Sequence, residues 1–301
     1  MNKCKVLITD KIHRDGIEYL RSNGFEVVEI LNPSEEELSR IIKDFQILIV
    51  RSATKVTRRV IESADNLKII GRAGVGLDNI DVEAAKEKNI KVLNSPEASS
   101  VAVAELTLLF ILSALRRLPD AHNSVKERKW EKSKFMGREL AHKKIGIIGY
   151  GRIGKEVAKR LKAFEAEILV FDPFVEKEEN FVSSLEELFR SCDIITIHTP
   201  LTKSTENMIN RSLLEKAKKG LILVNTSRGK IINEEDLLWA LNEGIVSVAC
   251  LDVYSKEPPE NYELISHSNV ILTPHIGAQT EEAQSKASLI LAKKICEEIG
   301  R

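Results

Sequence analysis

The sequence carries no excess charge of either sign: Lys and Arg number 45, and so do Asp and Glu. Such a chain projects no global field toward nucleic acid or anionic lipid, so neither partner class is expected. It has no Cys-x-x-Cys pair; the four cysteines, Cys4, Cys192, Cys250 and Cys296, lie far apart in apolar segments. That scatter argues against a disulfide framework and for buried thiols in a reducing compartment. No apolar run reaches membrane-spanning length, since Val101 to Leu115 is short and contains Glu105. No signal-peptide pattern precedes the first strand, so cytoplasmic residence is the expectation. Met is scarce beside abundant Lys, Glu and Ile, a balance similar to that of proteins from hot habitats. What is present, 43% hydrophobic and 30% charged residues over 301 positions, suits two globular domains.

Short apolar runs alternate with helical patterns from the start. Residues 4–9, 25–30, 47–50, 67–70 and 90–93 read as strands, and 16–22, 34–43, 57–64 and 81–88 as helices. This alternation predicts βαβ units and a parallel sheet. An apolar helix from about Val101 to Leu118 is expected to stop at Pro119, because proline lacks an N–H. Residues 120–143 are charged around Trp130 and read either as a solvated connection or as a packing surface. A second set of strands follows at 145–149, 168–171, 194–198, 221–225, 246–251 and 270–273. A last helix, about 281–299, has an apolar face at Ala287, Ile290, Leu291 and Ile295 that needs a partner. The expected organisation is a discontinuous substrate domain, 1–95 plus 280–301, around a nucleotide domain, 96–279.

The strand from Ile145 runs into Gly149-Tyr-Gly151-Arg152-Ile153-Gly154, and the next strand ends at Asp172, about 20 residues on. The glycines permit a tight turn, close approach of a pyrophosphate, and packing of the following helix on the sheet. That helix offers its free N–H groups to the phosphates. A carboxylate at Asp172 accepts hydrogen bonds from a ribose diol and repels a 2′-phosphate, which favours NAD over NADP.

Ligands of doubly wound sheets sit beyond the carboxyl ends of the strands, so polar residues there are the candidates. His275 follows a strand and a proline, and histidine suits proton transfer near neutrality. Glu257 can raise its pKa and fix its tautomer. Arg228, on the loop after a buried strand, suits a substrate carboxylate and its neighbouring carbonyl. The run Gly71-Arg72-Ala-Gly74-Val-Gly76 has the wrong spacing for a dinucleotide but could hold a small carboxylate through backbone N–H groups.

Arg72-Ala-Gly-Val-Gly-Leu-Asp-Asn79, Lys129-Trp-Glu, Lys134-Phe-Met-Gly137, the Gly149–Gly154 loop, Asn225-Thr-Ser-Arg-Gly229, Leu251-Asp-Val253, Glu257-Pro258 and Thr273-Pro-His-Ile-Gly-Ala278 together mark a family. Over essentially its whole length the chain resembles the D-isomer-specific 2-hydroxyacid dehydrogenases. The resemblance implies an α/β fold of two doubly wound parallel sheets, a flavodoxin-like substrate domain and a Rossmann NAD domain. It implies Arg228, Glu257 and His275 as the catalytic residues. For NAD it implies Gly149, Gly151, Arg152, Ile153, Gly154, Asp172, Thr199, Thr226, Ser227, Asp252, Gly277 and Ala278. Substrate contacts are implied for Arg51, Ser52, Arg72, Gly74 and Gly76, and no metal is implied. Where relatives carry threonine this chain has Val75, which removes a hydroxyl from that loop. Lys132 stands where relatives often have arginine, which weakens a bidentate phosphate contact.

The activity implied is oxidation of 3-phospho-D-glycerate by NAD to 3-phosphooxypyruvate, the committed step into serine. Homodimerisation through the nucleotide domain is implied as well. Long family members add a serine-sensing domain, whereas this sequence stops at Arg301, so feedback of that kind is not expected. A glyoxylate or hydroxypyruvate reductase, or another D-2-hydroxyacid dehydrogenase, is the alternative. A corepressor-like NAD-sensing scaffold is more distant.

Overall fold

Short strands rich in Ile, Val and Leu, each closed by a polar turn, build the first sheet; its central strands are buried on both faces and need helices to cover them, while its edge strands keep exposed polar residues. The strands of this sheet are β1 (Lys5–Ile8), β2 (Glu26–Glu29), β3 (Ile47–Val50), β4 (Ile69–Arg72) and β5 (Lys91–Asn94). Between them lie α1 (Arg14–Ser22), α2 (Glu35–Ile41), α3 (Arg58–Glu62) and α4 (Val82–Glu87). Side-chain caps fix the helix starts: Ser34 with Glu37 forms a reciprocal capping box for α2, and Asp81 accepts from the Ala84 N–H for α4. The computed structural model describes residues 4–175 and 180–300. They divide into two units, 1–100 with 278–301, and 101–277.

In the first unit all neighbouring strands are parallel, in the order β2-β1-β3-β4-β5. This is the flavodoxin-like order, with its switch point between β1 and β3. The last helix of the chain, α12 (Glu281–Ile299), covers one face of this sheet, and its Leu291, Ala292, Ile295 and Cys296 share a core with Val6, Ile8, Ile47 and Ile69. Gly16 of α1 lets the two helices meet closely, because a Cβ there would lie 2.7 Å from the Ser288 Cβ.

The second unit opens on α5 (Ser100–Arg116) and α6 (Leu118–Lys126). The apolar helix expected to end at Pro119 in fact breaks at Arg117, which takes a left-handed φ of 50°. Pro119 lies in the first turn of α6, where its missing N–H has no partner to lose. The proline therefore begins a helix rather than ending one, and residues 120–126 are helical rather than a connection.

There follow β6 (Lys144–Ile148), α7 (Arg152–Lys162), β7 (Glu167–Phe171), α8 (Leu185–Ser191), β8 (Ile194–Ile197), α9 (Arg211–Leu214), β9 (Leu221–Asn225), α10 (Glu234–Asn242), β10 (Val246–Leu251), α11 (Tyr262–Ile265) and β11 (Val270–Leu272). The sheet is parallel, in the order β11-β10-β9-β8-β6-β7. Phe181 adds one parallel bridge to Val170, in the place a Rossmann sheet gives to its third strand. Phe110, Ile111 and Leu115 of α5 pack with Ile145, Ile147 and Val224 on one side of the sheet. Leu188, Phe189 and Leu237 fill the other. Among the described residues no helix is long and apolar enough to cross a membrane.

Candidate active site

The glycine loop follows β6 directly. Gly149 takes φ 91°, open to glycine at little cost, and a Cβ there would lie 2.7 Å from the His198 carbonyl oxygen. A Cβ on Gly154 would lie 2.1 Å from the Gly149 carbonyl oxygen, so α7 can start this close to the strand only through glycine. Gly151, by contrast, faces open space and caps α7 with no side-chain hydrogen bond. Arg152, Ile153 and Gly154 form the first turn of that helix, whose N–H groups make a site for anions. Asp172, at the end of β7, accepts the Tyr150 N–H at 2.7 Å through Oδ2 and the Phe174 N–H at 2.9 Å through Oδ1. Each oxygen keeps a lone pair for a ribose hydroxyl.

Beyond β8, Thr199 has a buried hydroxyl oxygen with no hydrogen-bond partner in the structure. An orphaned polar atom of this kind beside an open glycine loop fits a bound nucleotide. Next to it, His198 pairs Nε2 with the Thr196 hydroxyl at 3.0 Å. The residue keeps partial exposure, yet its Nδ1 is fully shielded and unpartnered, and burial pushes the imidazole down to about 3. The ring is therefore neutral at ordinary pH. These features together fit NAD, which when bound supplies the hydride acceptor.

The turn after β9 is organised by Asn225, which is fully buried. Its Oδ1 accepts the Ser227 N–H and hydroxyl, both at 3.0 Å, and its Nδ2 donates to the Arg228 carbonyl at 2.9 Å. The Thr107 hydroxyl donates to the Val103 carbonyl, so Thr226, 3.1 Å away, donates its own proton to Thr107. Thr226 and Ser227 thus spend their hydroxyl protons within the protein. Arg228 is half-buried, and its Nη1 donates to the Ser227 carbonyl at 2.7 Å.

Asp252, buried at the end of β10, accepts the Thr273 hydroxyl at 2.6 Å and the Ile276 N–H at 2.7 Å through Oδ1, and the Gly277 N–H at 2.8 Å through Oδ2. Burial raises its pKa, and these bonds with the nearby His275 offset only part of the rise. Both backbone N–H groups just after His275 are held by this carboxylate, and His275 itself takes φ 52°. Asp252 is thus engaged chiefly in fastening the turn.

His275 Nδ1 lies 2.8 Å from Glu257 Oε2, and Glu257 Oε1 accepts the Tyr254 N–H at 3.3 Å. Burial alone would raise the Glu257 carboxyl, but the hydrogen bond and charge of His275, the Tyr254 N–H and the charge of Arg228 bring it below its usual range. A carboxylate at Nδ1 places the proton there and leaves the Nε2 lone pair as the base. The second unit therefore brings Arg228, Glu257 and His275 into one electrostatic cluster.

Arg51, Ser52, Arg72, Gly74 and Gly76 lie in the first unit, Arg72 at the end of β4 and the others on the turns after β3 and β4. Ser52 is exposed, and a Cβ on Gly74 would lie 2.4 Å from Arg72 Nη1. Ala278 belongs to the same unit, and its carbonyl accepts from Gln284 Nε2 at 2.6 Å. Two residues to which the sequence assigned no role organise these turns. Asp10, buried just beyond β1, accepts from Arg51 N–H and from Thr54; Asn79 donates to the Arg51 and Thr54 carbonyls and accepts from Arg72 Nε at 3.3 Å. The position of Asp10 just past an apolar strand was the signal that could have found it.

Comparison with known proteins accounts for the pattern. Residues 108–277 match the model of the D-isomer specific 2-hydroxyacid dehydrogenase, NAD binding domain. The chain is 48% identical over 297 residues to the D-3-phosphoglycerate dehydrogenase of Methanocaldococcus jannaschii, covering 97% of this chain but 56% of that protein. It thus spans little more than half the length of that relative. It is 45% identical over 305 aligned positions to the hydroxypyruvate reductase of Thermotoga maritima, covering 100% of both. Among solved structures, the NAD+-bound 3-phosphoglycerate dehydrogenase of Entamoeba histolytica superposes with a TM-score of 0.85 at 32% identity, covering 100% of this chain and 96% of that one. The chain belongs to the D-isomer specific 2-hydroxyacid dehydrogenase family.

Proposed function

We propose that this protein oxidises 3-phospho-D-glycerate to 3-phosphooxypyruvate with NAD, the reaction that opens a route to serine, in the cytoplasm. The observation that carries this reading is the Glu257–His275 pair, 2.8 Å apart, within the field of Arg228. His275 Nε2 takes the 2-hydroxyl proton while the hydride leaves the same carbon. Arg228 holds the substrate carboxylate and, through the same guanidinium, the oxygen that becomes a carbonyl. Glu257 stabilises the imidazolium that results. The Arg51 and Arg72 side chains of the first unit supply two positive charges suited to a phosphate. Gly74 leaves the space that the Arg72 guanidinium occupies, and with Gly76 it belongs to the loop proposed to meet the substrate.

Hydroxypyruvate reduction is the second reading, favoured by the full-length match to the Thermotoga maritima reductase. Steady-state kinetics separates the two. The expected result is a kcat/KM for 3-phospho-D-glycerate at least about tenfold above those for glycerate and D-lactate, and a matching preference for 3-phosphooxypyruvate over hydroxypyruvate and glyoxylate in reverse, a difference of about 1.4 kcal/mol in transition-state binding. Equal values would remove the phosphorylated substrate from the reading.

We also propose a homodimer formed through the nucleotide domain. Exposed large apolar side chains concentrate in its first segment, at Val101, Leu109, Leu118, Val125, Trp130 and Met136, the last two 87% exposed. A buried interface tryptophan is a typical hot spot, so Trp130→Glu should weaken self-association by roughly 30-fold or more. Sedimentation velocity reads the outcome, and a wild-type protein that sediments as a monomer at micromolar concentration rejects the dimer.

A further inference from the structure

The Arg51 guanidinium is held in an unusual way for a partly buried cation. Its Nη2 donates to Gln279 Oε1 at 3.1 Å and its Nη1 to the Lys11 carbonyl at 3.4 Å, both neutral acceptors. Asp10, the carboxylate whose charge acts on Arg51, spends its hydrogen bonds on the turn: it accepts the Arg51 N–H at 2.6 Å, the Thr54 N–H at 3.1 Å and the Thr54 hydroxyl at 2.6 Å. Among the described residues Arg51 forms no ion pair. Burial lowers its pKa, and Asp10 offsets only part of that effect. The charge is thus aimed without being neutralised.

Gln279 is itself anchored. Thr280 caps α12 by accepting the Ala283 N–H at 3.1 Å, and the Gln284 amide donates to the carbonyl just before Gln279. Packing of Leu291 and Ile295 under Gly71 ties α12 to the sheet whose turns carry Arg51 and Arg72. The amide cannot be reversed, since arginine has donors only and the oxygen must face it.

We propose that Gln279 is a positioning residue that sets the preference for substrates bearing a second anionic group, by orienting Arg51 through an acceptor that leaves its charge intact. This rests on the reading that Arg51 receives the substrate phosphate. A glutamate of the same length would orient the guanidinium equally well but would pair with it and cancel the field. The amide is therefore the feature that matters, beyond the side chain's length.

Two variants test this, Gln279→Glu and Gln279→Met, each assayed with 3-phosphooxypyruvate and with hydroxypyruvate, which lacks the phosphate. Gln279→Glu should raise KM for the phosphorylated acid roughly tenfold with kcat within about twofold, and leave KM for hydroxypyruvate unchanged. Gln279→Met, which keeps length and loses the acceptor, should raise the same KM about threefold. Calorimetric titration with 3-phospho-D-glycerate should show the same order of affinities without turnover. Equal changes for both acids, or none for either, overturn the inference; should Gln279→Glu not fold, Gln279→Met decides by the same criterion. The substrate assignment is judged separately, on the wild-type ratio of the two acids: a wild type that prefers hydroxypyruvate rejects that assignment, while the variant-to-wild-type change still decides the role of Gln279.

Discussion

His275→Ala lowers kcat roughly 10²- to 10⁴-fold, the range expected when a positioned general acid–base is removed. The imidazole reads as the base because its Nδ1 is committed to Glu257 at 2.8 Å, which leaves Nε2 as the only nitrogen able to take a proton. The turn reinforces that geometry: His275 is held at φ 52° while Asp252 clamps the two N–H groups that follow it. On the proposed reading Arg228 holds the substrate and is untouched by the substitution, so KM should move by less than about threefold. Glu257→Gln should fall between, since it keeps a hydrogen-bonding partner but removes the charge that stabilises the imidazolium. The Glu257 carboxyl sits below its usual range in the folded protein, so its stabilising contribution is present above the unfolded-chain pKa and is lost as pH falls through the lowered one. The stability this pair contributes should therefore hold through the ordinary carboxylate range before failing on the acid side, and Glu257→Gln should lose that pH dependence of the melting temperature. Single-turnover measurement of hydride transfer, followed by NADH absorbance, gives the decisive number. A loss of tenfold or less in His275→Ala would reduce the residue to a positioning role.

Much of this fold was legible because strand and helix signals agreed locally. The strands Ile47–Val50, Leu221–Asn225 and Val246–Leu251 and the helix Glu281–Ile299 begin and end where the apolar runs and the helical periodicity place them. The strand near 67–70 was displaced to Ile69–Arg72, since Leu67 is as apolar as Ile69 and Ile70 and only pairing with β3 and β5 fixes the register. Pro119 misled for a physical reason: the same missing N–H that ends a helix is harmless in the first turn of the next. At the site, strand-end polar residues were visible in sequence, but how each spends its hydrogen bonds was not. Asp252, a cofactor-binding candidate in the sequence, also holds a turn; Asp10 and Asn79 do the same for the turn of Arg51 through contacts 25 to 44 residues distant in the chain. Such long-range contacts leave no periodic trace.

Gly229→Ala should be the most damaging single-methyl addition in the second unit. A Cβ at this position would lie 1.8 Å from the Tyr254 carbonyl carbon, 2.0 Å from its oxygen and 2.4 Å from the Ser255 nitrogen, all backbone atoms that cannot rotate aside. Tyr254 is in addition anchored, buried, with its hydroxyl donating to the Thr273 carbonyl at 2.9 Å. The strain must therefore be relieved by moving the Arg228 turn away from the segment that carries Glu257. Overpacking of this severity costs about 3 kcal/mol, and at roughly 2–4 °C per kcal/mol the melting temperature should drop by about 6–12 °C. A displacement near 1 Å between Arg228 and the Glu257–His275 pair should also cut kcat/KM by about 10²-fold in whatever protein remains folded. Gly151→Ala supplies the contrast, since its Cβ meets nothing within 4 Å. It should leave the melting temperature within about 1 °C and act on KM for NAD alone, because the added methyl occupies space kept for the pyrophosphate. Differential scanning calorimetry paired with steady-state kinetics on both variants reads the two effects together. A Gly229→Ala protein as stable and active as wild type would mean that the turn of Arg228 and the segment of Glu257 are not held against each other, and the proposed catalytic cluster would lose the contact that sets its spacing.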